Sequence, residues 1–371
     1  MVRGTNASLM KESNRKLILN LIRQGNYSRA DLAKRTRLTK ATVTILTEEL
    51  LCEGLIRETA AEDYSGVGRR PTYLRLCGSA RYAAGFGLTR AGYQAGLFDL
   101  AGEAVALEEL AYADGPAERT IEEMAACVRR YREMIPEGSL LGVGVAGPGP
   151  VDHRTGTVLN PPNFAKWHGC EIERRLSCLC GAAVRLENIA NALAMAERYF
   201  GCCRQETDYA YVVVDEGVGS GIIVNGQIYR SQRGFGNELG HTSIAYDGRP
   251  CVCGNRGCVE RYASIPAALE GTGHSTWQEA VDSGDRALLD REAGYLSCAL
   301  VNLVNLFDLG TVVLGGDIAY HGEPLAERIQ AELQMRAIVR HPVRVALAQA
   351  GRSRALAAAS IALHELFFTG A

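Results

Sequence analysis

Residues 234–260 read GFGNELGHTSIAYDGRPCVCGNRGCVE, and no other stretch limits the fold as tightly. Cys251, Cys253 and Cys258 are spaced C-x-C-x4-C, and His241 lies ten residues upstream. Three thiolates and one imidazole match a closed, tetrahedral zinc site of the structural kind. Gly254 and Gly257 let the backbone between ligands turn tightly. Glu238 and Glu260 add carboxylates at the edges of the cluster, and carboxylate oxygens accept hydrogen bonds from sugar hydroxyls. Three buried cysteines beside a surface histidine are the alternative. The glycines, the histidine and the flanking glutamates together favour zinc on His241, Cys251, Cys253 and Cys258.

The pattern G-H-x9-C-x-C-G-x2-G-C-x-E resembles the signature of the ROK family, which holds sugar kinases and sugar-responsive transcriptional repressors. The resemblance runs from about Tyr82 to the end of the chain, and the segment before it matches the repressor branch with its added winged helix. It implies an α/β protein: an N-terminal winged helix-turn-helix and a two-lobed, actin-like or ribonuclease H-like sugar-kinase fold. The expected division is a DNA-binding domain at 1–78, a first lobe at 79–190 completed by residues 352–371, and a second lobe at 191–351 carrying the zinc motif. The resemblance also gives His241 two tasks, ligating zinc and orienting a sugar.

With 371 residues the chain has room for two or three domains. Hydrophobic residues at 47% and charged residues at 22% are those of an ordinary globular protein. No apolar run is as long as a membrane span, and the N-terminus has no signal-peptide core. The 12 cysteines then point to a reducing cytoplasm, with thiols free or on metal. Cys178, Cys180, Cys202 and Cys203 lack accompanying histidine or acidic ligands, which favours free thiols over a second metal site. The net charge of −2 is unevenly spread: residues 1–76 hold 14 Lys+Arg against 8 Asp+Glu, so a basic head sits on an acidic body.

That head reads as helix-turn-helix. Residues 14–24 place Leu17, Ile18, Leu21 and Ile22 at helical spacing. Ser28 and Asp31 form a capping-box pattern before a second helix, and Thr39 caps a third with Val43, Leu46 and Leu50 as its buried stripe. Thr39, Lys40, Thr42 and Thr44 at the start of that helix suit phosphates and base edges. Residues 56–76 read as two strands around a polar tip, where Arg69 and Arg70 make a basic wing. A protein-interaction module is the alternative, and the arginine-tipped wing favours DNA.

In the body, the resemblance implies a sugar site at the strand-end turn 147–152 with Asn163, Asn188, Glu238, His241 and Glu260. The kinase machinery is altered. The first phosphate loop of kinases, G-x-D-x-G-G-T, is here Gly85-Phe86-Gly87-Leu88-Thr89-Arg90-Ala91. Their general base, the aspartate of E-N-D-x-N-A, is Ile189. The second phosphate loop, normally with a threonine, has Asp215 and Glu216, whose charge opposes ATP phosphates. A positioned base is typically worth ~10²–10⁴ in rate. The expectation is a sugar-responsive regulator, most often a repressor in this family, with a catalytically dead kinase body, structural zinc and no ATP. Its partners would be operator DNA and a sugar or sugar phosphate, its form a homodimer or a dimer of dimers in the cytoplasm. Two alternatives stay open: a body serving only as a dimerisation scaffold, and an active sugar kinase.

Overall fold

Three helices and a two-stranded ribbon open the chain in the computed structural model, which describes residues 7–60, 72–162, 164–339, 341–350 and 353–369. Helix α1 (Ala7–Gln24) buries Ile18, Leu19 and Ile22. Helix α2 (Arg29–Thr36) starts at Ser28, whose hydroxyl accepts from the Asp31 N–H while the Asp31 carboxylate accepts from the Ser28 N–H. Helix α3 (Lys40–Cys52) starts at Thr39, whose hydroxyl accepts from the Thr42 N–H, and it buries Val43, Leu46 and Leu50. Strands β1 (Ile56–Ala60) and β2 (Thr72–Leu76) pair antiparallel. Helix α1 begins earlier than apolar spacing suggests. Its polar first turns are held to the end of α3 by the ion pairs Lys11–Glu49 and Arg15–Glu53, which apolar periodicity does not report. The wing tip with Arg69 and Arg70 lies outside the described residues, as does Asn163.

Two sheets of one topology follow. The first contains β3 (Tyr82–Leu88), β4 (Gly92–Asp99), β5 (Ala104–Ala111), β6 (Leu140–Gly147) and, beyond the small ribbon β7 (Val151–Asp152) and β8 (Thr157–Val158), β9 (Val184–Asn188). Its order is β5-β4-β3-β6-β9. The second contains β10 (Tyr209–Val214), β11 (Val218–Val224), β12 (Gln227–Ile228), β13 (Thr311–Gly315) and β14 (Arg344–Leu347), in the order β12-β11-β10-β13-β14. In each, an antiparallel meander forms one side and two parallel strands are added on the other. Helices α4 (Ala117–Glu133) and α5 (Ile172–Cys180) serve the first sheet, and α6 (Ile189–Tyr199) leads into the second. Helices α7 (Glu260–Ala263), α8 (Ile265–Leu269), α9 (Trp277–Asp282), α10 (Arg286–Phe307) and α11 (Glu323–Arg336) belong with the second. The repeated β-meander with parallel additions is the two-lobed actin-like arrangement expected from the resemblance.

The last helix, α12 (Arg354–Leu363), returns to the first sheet, and five of its nine buried residues are alanine. A Cβ on Gly144 would stand 1.8 Å from the Ala358 carbonyl oxygen, and one on Gly85 1.9 Å from that of Ala355. Gly85 and Gly87 therefore lie within β3 and admit α12, and the turn of the former phosphate loop is confined to residues 89–91. The second lobe repeats the device: a Cβ on Gly221 of β11 would stand 2.2 Å from the Ala190 carbonyl oxygen of α6.

Head and body share one core. Ile18, Leu19 and Ile22 belong to the same buried cluster as Tyr199, Leu363 and Phe368. The Asn20 amide donates to the Phe368 carbonyl (3.1 Å) and Arg23 Nη1 to that of Arg198 (2.9 Å). The head thus touches both the end of α6 and the segment after α12. No helix among the described residues is long and apolar enough to cross a membrane.

Candidate functional site

His241 ends a short 3-10 turn (Leu239–His241), and the three cysteines follow on a knuckle closed by the bridges Ser243–Cys258 and Pro250–Arg256. Gly257 has φ +70°, and a Cβ there would stand 1.7 Å from the Ala245 carbonyl oxygen, so glycine is required on both counts. The four ligand atoms lie within 4.8 Å of one another. Cys251 Sγ is 3.7 Å from His241 Nδ1, and Cys253 Sγ is 3.7 Å from Cys258 Sγ. Zinc–sulfur bonds of ~2.3 Å in a tetrahedron give sulfur–sulfur edges of about 3.8 Å, so the donor set fits zinc in chemistry and in spacing. Burial, with Cys251 and Cys253 adding, pushes the Cys258 thiol up to about 12. A dication among the sulfurs reverses that preference. Among the described residues no other cluster of three or more such ligands forms; Cys180 and Cys203 are buried thiols and Cys178 is exposed.

Four of the five expected sugar residues, Asn188, Glu238, His241 and Glu260, come together from both lobes. Asn188 ends β9 and caps α6, its Oδ1 accepting from the Ala190 N–H (2.9 Å). Its Nδ2 is left facing the turn after β6, where a Cβ on Gly149 would stand 2.2 Å from it and 3.7 Å from Glu238 Oε1. Glu238 begins the turn that carries His241, and burial pushes its carboxyl up, with His241 opposing and Glu260 adding. Glu260 opens α7 and accepts from the Val218 N–H (3.1 Å). Asn188, Glu238, His241 and Glu260 thus form one polar wall between the lobes, joined through His241 to the Cys251, Cys253 and Cys258 cluster. Ile189, the first residue of α6, is half-buried and packs against the shared core. It offers no proton acceptor.

Sequence reasoning missed the pairs that close the nucleotide end. Arg90 forms an ion pair with Glu216, joining the β3–β4 turn to the β10–β11 turn across the cleft. Arg354 binds Asp215 (2.6 Å), which also accepts from the Asp317 N–H (2.6 Å). The Thr89 hydroxyl accepts from the N–H groups of Ala91 (3.3 Å) and Gly92 (3.1 Å), the kind of donors a phosphate would need. Beside these pairs lies a cavity of about 1010 Å³ lined by Gly316, Asp317, Tyr320, Arg344 and Leu347. Burial, with Asp215 adding and Arg354 opposing, pushes the Asp317 carboxyl up.

On the head, Thr39 and Lys40 are exposed and Thr42 and Thr44 half-buried. The Thr39 and Thr42 hydroxyls are 2.9 Å apart, and the Thr44 hydroxyl donates to the Lys40 carbonyl (2.9 Å). Their oxygens remain acceptors. Ile45 is 55% exposed on the same helix, beside Ala41 and Glu48. An exposed isoleucine on a reading helix suits a thymine methyl, and only its burial distinguishes it from the core residues around it in sequence.

The ROK family profile matches residues 85–365. The xylose repressor of Bacillus subtilis (strain 168) is 29% identical over 342 residues, spanning 89% of this chain and 88% of its own. The glucokinase of Thermotoga maritima is 31% identical over 235 residues, spanning 54% of this chain and 74% of its own. Among solved structures, a ROK family transcriptional regulator described as a homologue of the E. coli MLC protein superposes with a TM-score of 0.79 at 22% identity, covering 97% of each chain. That likeness concerns the fold, and it takes in head and body together.

Proposed function

The chain belongs to the ROK family, and from that premise we propose that it is a sugar-responsive DNA-binding transcriptional regulator, a repressor of carbohydrate-metabolism genes, acting in the cytoplasm. The observation that carries this reading is the pairing of a capped helix-turn-helix head with a kinase-like cleft in which Asn188, Glu238, His241 and Glu260 come together. The same cleft has lost its base at Ile189 and closes its phosphate loops with Arg90–Glu216 and Arg354–Asp215. Thr39, Lys40, Thr42 and Thr44, with Arg69 and Arg70 of the wing, are assigned to operator DNA. A homodimer, or a dimer of dimers, would set two heads on the half-sites of a roughly palindromic operator.

Zinc held by His241, Cys251, Cys253 and Cys258 would supply rigidity to the segment bearing Glu238 and Glu260. Sugar hydroxyls would bind Asn163, Asn188, Glu238, His241 and Glu260. Ile189 takes the place of a carboxylate that would meet the hydroxyl to be phosphorylated, so it removes an acceptor and a negative charge that would repel a phosphate. That favours a sugar phosphate or a sugar lacking that hydroxyl. The relatives named xylose repressor point to the second, because a pentose lacks the sixth carbon of a hexose. Closure of the lobes around the sugar would move α6 against α12, and the head rests on α6 and on the segment that follows α12. A coupling of ~1–3 kcal/mol changes operator affinity about 5–150-fold.

The test is operator binding by fluorescence anisotropy, with and without xylose, glucose and glucose 6-phosphate. The reading expects a shift in operator affinity with the pentose or the sugar phosphate, and loss of operator binding when residues 1–76 are removed. Operator binding that no sugar alters would leave the body as a scaffold.

A further inference from the structure

Where the head meets the body there is a second cavity, of about 360 Å³. Its walls are the end of α1 and β2 from the head, and the ends of β4 and α6 from the body. Three arginines, Arg23, Arg75 and Arg204, line it, and none of its lining residues is acidic. Such a concentration of one sign, between two elements that have to stay together, is repulsive unless something neutralises it.

The arginines are incompletely satisfied. Arg23 Nη1 donates to the carbonyls of Arg198 (2.9 Å) and Tyr199 (3.5 Å), and its guanidinium stacks 4.3 Å over the Tyr199 ring. Its Nε and Nη2 are shielded from solvent and have no hydrogen-bond partner, and Arg75 Nε is in the same condition. Arg204 Nη2 donates to the Phe200 carbonyl (3.0 Å). Burial, with Arg198 and Arg204 adding, lowers Arg23 to about 10, so the site pays an electrostatic penalty as it stands. Guanidinium groups recognise carboxylates and phosphates through paired N–H donors. Leu76, Leu100 and Phe200 give the same pocket an apolar side.

We propose that this pocket binds a phosphate-bearing small anion, either inorganic phosphate or a phosphorylated metabolite whose organic part lies against Leu76, Leu100 and Phe200. The anion bridges Arg23 and Arg75 of the head to Arg204 of the body, and so fixes the head's orientation. This site is separate from the sugar wall and does not depend on what the wall binds.

Calorimetry on the full chain without DNA decides it, with inorganic phosphate and pyrophosphate titrated at ionic strength held constant with chloride. The expected result is one saturable site per chain. Hydrogen exchange should slow on phosphate binding at the last turns of α1 and α6. Arg75→Gln, in a half-exposed strand position, should weaken binding about tenfold or more, the range for one hydrogen bond to a charged group, with an unchanged melting temperature in phosphate-free buffer. Arg204→Gln should weaken it too. Arg90→Gln and Arg354→Gln, in the interlobe cleft, should leave it unchanged. Absence of saturable binding, full binding in both Arg75→Gln and Arg204→Gln, or loss in the cleft variants instead would each overturn the proposal. Binding that appears only with duplex DNA present would make these arginines backbone contacts and would overturn it as well.

Discussion

Ile189 and Arg90 differ in how far the sequence reveals them. The loss of a base is visible in the residue alone, because no placement gives isoleucine a lone pair. Arg90 acquires its meaning from Glu216, 126 residues away in the chain, and no local pattern announces that pairing. Ile189→Asp should therefore restore an acceptor but no catalysis. We expect it to strengthen binding of an unmodified hexose by about 2–10-fold, the worth of one hydrogen bond, and to weaken that of its 6-phosphate. Calorimetry with the matched pair checks this, and an unchanged ratio would mean that residue 189 does not face that end of the sugar. Glu173, in the first turn of α5, makes a case in pH. Its carboxylate accepts from the Leu186 N–H (2.5 Å), and burial, opposed by that bond and by Arg185, raises it from 4.5 to about 7. The folded chain then holds a proton that the unfolded chain releases between those values, so stability falls as pH rises from about 4.5 to about 7. Glu173→Gln should remove that part of the slope and melt higher than the parent at pH 8, with the two converging near pH 4. Parallel melting curves across the range would refute the assignment.

Among the elements, those set by local chemistry were legible: the capping box at Ser28, the Thr39 cap and the knuckle around Gly257. Strand β5 was not. Its sequence AVALEELA is built of good helix formers, and it is a strand because the exposed edge of β4 offers it a ladder. The glycines of β3 and β6 carried the opposite lesson. Gly85 was read as a remnant of a phosphate loop, yet with Gly144 it exists to let α12 approach. Gly144→Ala should therefore destabilise the chain by roughly 3 kcal/mol or more, because a methyl 1.8 Å from a carbonyl oxygen displaces a whole helix. Denaturant unfolding measures it; a loss below about 1 kcal/mol would show that α12 shifts freely. The knuckle makes the matching prediction for metal. Elemental analysis of protein purified without chelator should give one zinc per chain. Its removal should abolish sugar binding while most of the fold persists, since two larger cores lie outside the knuckle. Sugar binding at full strength in zinc-free protein would separate the cluster from the cleft.

At the scale of the whole molecule the two lobes are held together at one end by Arg90–Glu216 and Arg354–Asp215. The held end is the one that nucleotide phosphates would occupy in a kinase, and here the chain supplies both signs of charge itself. Arg90–Glu216 is exposed, at 45% and 70%, so it contributes at most about 1 kcal/mol. Arg354–Asp215 is better covered and anchors the Asp317 N–H as well. An incoming triphosphate would have to break both pairs and then lie against Asp215, Glu216 and Asp317. Its own charge opposes that, at roughly 4 kcal/mol per pair of like unit charges 4 Å apart at an effective dielectric of 20. Magnesium ions could screen part of this, but Thr89 already occupies the N–H groups of its turn. We therefore expect millimolar ATP with magnesium to leave the melting temperature unchanged, whereas a ligand present at 100 times its Kd would add about 2.7 kcal/mol. A coupled assay should find no ATP-dependent phosphorylation of any hexose, in the parent chain or in Ile189→Asp. The same assay on Ile189→Asp combined with Arg90→Gly and Ala91→Thr asks whether the loop is the remaining obstacle. Turnover clearly above background in the unmodified chain would show that the closed end opens, and would return the protein to the enzymes of its family.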